Sequence, residues 1–134
     1  MTKYEQLQEH LKINQNTWLI TGVAGFIGSN LAETLARDGA QVTVLDDLST
    51  GREANLEPLS KLGVEFVRGS ILDEGLLAKT FADMEYVFHQ AAFVSVPQSI
   101  VEPRLCNEVN IIGTLLVLET ARQAGVKKVV YAES

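Results

Sequence analysis

The chain has 134 residues, 11 basic and 17 acidic, for a formal net charge of −6. That length suits one domain with its own core, and 46% hydrophobic with 21% charged residues excludes a disordered or collagen-like chain. The acidic balance argues against a nucleic-acid partner, no apolar run nears the about 20 residues of a membrane helix, and a single cysteine, Cys106, excludes an internal disulfide or a cysteine zinc cluster.

Tyr4, Leu7 and Leu11 share one helical face, so residues 1–15 are expected as a helical extension broken at Asn14-Gln15-Asn16. The start lacks a signal-peptide pattern, so a cytoplasmic location is expected. Thr17 to Thr21 reads as a short buried strand. Ile27, Leu31 and Leu35 make a helix that stops at Gly39. Gln41 to Leu45 is the second strand, followed by a polar stretch from Asp46 to Gly51. Val64 to Val67 is the third. Asp73 caps a helix carrying Leu76, Leu77 and Phe81. Tyr86 to Phe88 is the fourth strand, and residues 91–99 are a loop containing Pro97. A long helix is expected from about Pro103 to Gln123, stopped by Gly125. Lys128 to Ala132 is the fifth strand.

Strands alternating with helices imply parallel pairing through right-handed crossovers. Continuous apolar strands fit a sheet covered on both faces. Residues 16–134 are therefore expected to form an α/β, doubly wound, Rossmann-type sheet of five parallel strands. In such sheets ligands sit beyond the carboxyl ends of the strands, here after Thr21, Leu45, Val67, Phe88 and Ala132.

The first exit reads Thr21-Gly22-Val23-Ala24-Gly25-Phe26-Ile27-Gly28. Gly22 allows a tight turn, Gly25 lets amides approach a pyrophosphate, and Gly28 lets the helix pack on the strand. Free N–H groups at the helix start carry about half a positive charge, which is how an acidic chain can hold an anionic cofactor. The alternative is a structural glycine turn. Asp46 ends the second strand, 18 residues beyond Gly28, where an acidic residue takes the ribose hydroxyls. Its charge, with Asp47 beside it, favours NAD over NADP; Arg52 is the nearby cation that opposes this. The alternative is a solvated acidic turn.

Small Ala91 and Ala92 let a cofactor lie against the backbone after the fourth strand. A lone His89 at that strand end is more often structural than catalytic, and the sequence offers it no acid partner. Asn110, in an apolar helix segment, either braces the sheet or reaches the cofactor. Cys106 has no evident cation to activate it and reads as a passive buried thiol. Lys127-Lys128 reads as a solvated corner.

Together these segments resemble the nucleotide-sugar epimerases and dehydratases of the extended short-chain dehydrogenase/reductase family. The matching stretches are Thr21 to Asn30, Leu45 to Gly51, His89 to Ala92, Asn110 to Thr114 and Val129 to Ala132. The leading Tyr4-Glu5-Gln6-Leu7, the Trp18 to Gly22 strand and the Ser95 to Ser99 loop look like bacterial UDP-N-acetylglucosamine 4-epimerases. The resemblance covers nearly the whole chain but well under half of a complete member.

The resemblance implies NAD as cofactor, and a site drawn from Gly22, Gly25, Phe26, Ile27, Gly28, Asp46, Asp47, Ser49, Thr50, Gly51, Ser70, Ile71, Gln90, Ala91, Ala92, Val94 and Asn110. It implies oxidation and re-reduction of the sugar at C4. A Tyr-x-x-x-Lys pair supplies the base, helped by a Ser or Thr just past the fifth strand, where Ser134 falls. This sequence has no Tyr-x-x-x-Lys: Tyr4 is followed at that spacing by Gln8 and Tyr86 by Gln90. Ser70 stands where the family usually has an Asp holding the adenine amino group, and Glu133 occupies a usually small position. The expectation is an NAD-binding part that is inactive alone, with a UDP-sugar as partner of the full-length enzyme and a homodimer left open. The alternatives are a non-catalytic NAD-binding module, or part of a dehydratase or decarboxylase.

Overall fold

The computed structural model describes residues 2–13, 16–22, 26–48, 53–91 and 100–131. Strands Thr17–Thr21 (β1), Gln41–Asp46 (β2), Glu65–Arg68 (β3), Tyr86–His89 (β4) and Lys128–Tyr131 (β5) form one sheet, all parallel, in the order β3-β2-β1-β4-β5. The helices are Lys3–Ile13 (α1), Phe26–Arg37 (α2), Glu57–Lys61 (α3), Glu74–Phe81 (α4), Pro103–Asn107 (α5) and Gly113–Ala124 (α6). The chain winds outward from β1 to β3, then restarts on the other side of β1 at β4. In open α/β sheets such a reversal, here at the carboxyl ends of β1 and β4, is where ligands bind.

Successive strand residues point to opposite faces. Ile20, Val42 and Val44 meet α2 and α3 through Ala32 and Leu59. Leu19, Leu45 and Val87 meet α4 and α6 through Leu77, Phe81, Val117 and Ala121. Leu19 and Ile20 are both fully buried, which explains why β1 is apolar without alternation. On the α2 face, Trp18 stacks on its register partner Tyr86 at 4.5 Å and on Phe88 at 5.2 Å.

Asp73 caps α4 as expected, accepting the Leu76 amide at 3.1 Å. Gly125 ends α6 in the left-handed region, at φ 75°. Three features differ from the sequence reading. A 3-10 turn at Glu53–Leu56 leads into α3, a helix too short to show a period; Leu59 anchors it in the core. The long helix runs from Pro103 to Ala124 as expected but is not α throughout: a π turn, Glu108–Ile112, lies between α5 and α6. Cys106 is half-buried rather than buried, and Asn110, one turn on, donates to its Sγ at 3.4 Å. Among the described residues no helix is long and apolar enough to cross a membrane.

Candidate cofactor site

Gly22 leaves β1 with φ +77°, and its amide bonds to the Leu45 carbonyl at 2.9 Å. The backbone leaving β4 passes directly over it. A Cβ on Gly22 would lie 2.6 Å from the Ala91 nitrogen and 2.8 Å from the Gln90 carbonyl carbon. Glycine is required there twice, by dihedral and by contact. The turn feeds α2, whose first-turn N–H groups have no intrahelical partner. Gly28 is buried in that helix, in keeping with close helix–strand packing.

At the next exit, Asp46 Oδ1 accepts the Leu48 amide at 2.7 Å. Leu48 takes a positive φ of 63°, a conformation costly for a branched side chain. The turn therefore holds the carboxylate at the strand end. Arg52, the cation that the sequence pointed to, lies outside the described residues; the sheet puts a different one, Arg68, in register with Asp46. Exposed Asp47 follows Asp46. Ser70, at the third exit, uses its Oγ to accept the Leu72 amide at 3.1 Å. Ile71 turns its side chain into the core, against Gly113, leaving its main chain at that exit.

The fourth exit is the most elaborate. Thr21 and His89 are register partners at the ends of β1 and β4. Thr21 Oγ1 accepts the amides of Gln90 and Ala91, each at 3.1 Å, and lies 2.7 Å from His89 Nδ1. His89 Nε2 lies 3.1 Å from Thr114 Oγ1, which donates to the Asn110 carbonyl at 2.8 Å. Burial pulls the imidazole from its ordinary 6.5 down to about 4. Sequence reasoning singled out His89 without partners; Thr21 and Thr114 are those partners, and only their side-chain type could have flagged them.

The structure thus brings Gly22, Asp46, Gln90, Ala91 and the start of α2, with Phe26 and Ile27, to the carboxyl edge of β1, β2 and β4. Asn110 joins them through the Thr114–His89 chain. Gly25, Ser49, Thr50, Gly51, Ala92, Val94 and Ser134, with Glu133, lie outside the described residues.

Residues 18–134 match the model of the NAD dependent epimerase/dehydratase family. A UDP-glucose 4-epimerase of Mycolicibacterium smegmatis is 46% identical over 120 residues, covering 87% of this chain and 38% of that protein. The solved UDP-glucose 4-epimerase of Thermus thermophilus, a complex with NAD, superposes with a TM-score of 0.79 at 42% identity over 88% of this chain and 37% of its own. The UDP-N-acetylglucosamine 4-epimerase of Methanobrevibacter ruminantium M1, solved with UDP-N-acetylmuramic acid, gives 0.82 at 34% identity, covering 90% of this chain and 38% of its own. The chain therefore spans well under half the length of these relatives. It belongs to the NAD dependent epimerase/dehydratase family.

Proposed function

We propose that this chain is the NAD-binding part of a UDP-sugar 4-epimerase of the UDP-N-acetylglucosamine or UDP-glucose type. Residues 16–134 are its cofactor domain and residues 1–15 a helical extension. The observation that carries the reading is the Gly22 turn entering α2 one strand from the oriented Asp46 carboxylate. In this reading the turn and the α2 amides hold the pyrophosphate and Asp46 accepts the ribose hydroxyls. The Ile71 main chain borders the adenine, while Gln90, Ala91 and Asn110 lie toward the nicotinamide end. NAD, when bound, supplies the hydride acceptor and donor for a sugar carbon. The 134 residues contain no Tyr-x-x-x-Lys base, so the chain alone interconverts no UDP-sugar.

The test is calorimetry of the purified chain with NAD and NADP. Saturable binding that is tighter for NAD supports the reading. No heat with NAD overturns it, and turnover of a UDP-sugar by the chain alone overturns the claim of inactivity.

A further inference from the structure

The hydroxyls around His89 leave its ring a single arrangement of protons. Thr21 Oγ1 receives the Ala91 amide hydrogen and shares that of Gln90 with the Thr21 carbonyl, which lies 3.0 Å from the Gln90 nitrogen, so its own hydrogen is what it can offer His89 Nδ1. Nδ1 must therefore be an unprotonated acceptor. The other side gives the same answer independently. The Asn110 carbonyl can only accept, so the Thr114 hydrogen is committed to it. Thr114 Oγ1 must then accept from His89, which requires Nε2–H. Protonating Nδ1 would force Thr21 to give up an amide of Gln90 or Ala91, the backbone that lies over Gly22.

Resting on the cofactor reading above, we infer that His89, held as the neutral Nε2–H tautomer, is a positioning residue. It ties the β1 and β4 exits beneath the dinucleotide to the π turn that carries Asn110. Three separate parts of the chain meet in it: the end of β1, the end of β4 and the junction of the π turn with α6. A mobile or wrongly protonated ring frees the Ala91 segment from the glycine turn and lets the π turn move away from the sheet. Its effect on the cofactor passes through these groups, not through contact with the cofactor.

The test starts with nitrogen-15 NMR of the histidines in the 134-residue chain, using His10→Gln to assign the two. The expected result for His89 is Nε2–H with an unprotonated Nδ1, unchanged between about pH 5.5 and 8. The Nδ1–H tautomer, or titration near the ordinary value, overturns the inference. Thr114→Val and Thr114→Ser are then compared for NAD affinity and melting temperature. Loss of the hydroxyl in Thr114→Val is expected to raise the NAD Kd about fivefold or more, with faster hydrogen exchange at the Ala91 amide. Thr114→Ser restores both to near wild type. A purely structural role would lower the melting temperature of Thr114→Val but leave the Kd of the folded protein unchanged, and that result overturns the inference. If Thr114→Val does not fold, a Thr114→Ser Kd within about twofold of wild type and the NMR tautomer decide it. A wild-type chain that binds no NAD overturns the cofactor reading and the positioning role together. Bound NAD with an indifferent, folded Thr114→Val overturns the positioning role alone.

Discussion

Gly22 meets Ala91 backbone to backbone: a Cβ on Gly22 would lie 2.6 Å from the Ala91 nitrogen. Neither partner is a side-chain end that can swing aside. Gly22→Ala is therefore expected to destabilise the chain by about 3 kcal/mol or more, combining left-handed strain with displaced backbone. It also abolishes measurable NAD binding. Urea titration and calorimetry check the two effects; a fully stable Gly22→Ala protein would show that the β4 exit is not seated as described.

Asp46 is already oriented by the Leu48 amide, so its effect on ligand can be separated from its effect on fold. Asp46→Asn keeps an acceptor for that amide and should change stability by under about 1 kcal/mol. Losing the charge should weaken NAD about ten- to a hundredfold, the range for a hydrogen bond to a charged group. Discrimination against NADP should shrink. Equal NAD affinity in wild type and Asp46→Asn would remove Asp46 from the site.

Gly113 opens α6 against the Ile71 side chain, where an added Cβ would meet Cδ1 at 2.5 Å. Gly113→Ala should cost about 1–2 kcal/mol, because overpacking outweighs the gain in helix propensity. Ile71→Val removes Cδ1 and costs about 1 kcal/mol alone. Ile71→Val keeps a carbon at the Cγ1 position, 3.0 Å from the added Cβ, so the double variant should recover most but not all of the Gly113→Ala loss, a coupling of about 1 kcal/mol in a denaturation cycle. Additive losses would place the two residues apart.

The His89 imidazole binds its proton at about 4 in the folded chain against 6.5 ordinarily. Between those values the unfolded chain holds the extra proton, so stability is complete above about pH 6.5 and falls as the pH drops toward 4. The loss is on the order of 3 kcal/mol, because each tenfold difference in proton affinity between the two states is worth about 1.4 kcal/mol. Half-buried Glu85, drawn below its ordinary value by its hydrogen bond from Lys127, also favours the folded state less as acid is added. A His89→Gln protein keeps that pair, so the difference between the two stability curves isolates the imidazole. Parallel curves from pH 7 to pH 4 would show that His89 carries no such linkage.

Much of this fold was legible in one dimension. Short apolar runs without alternation, such as Trp18 to Ile20, mark strands buried on both faces, and Gly39, Asp73 and Gly125 mark helix ends through local backbone chemistry. The glycine spacing after Thr21 and the acid at Asp46 depend on residues near one another in the chain, so the sequence alone was enough to propose a cofactor edge there. What needed the folded molecule were contacts between distant segments. Thr21 meets His89 across 68 residues, and His89 meets Thr114 across 25. Helix α3 and the π turn have no period of their own to betray them. Their shape follows from what they pack against, as Leu59 does in the core. A hydroxyl or an imidazole has no preferred partner until the sheet is assembled. Only the tertiary structure could convert three ordinary polar residues into one chain of hydrogen bonds with a defined direction.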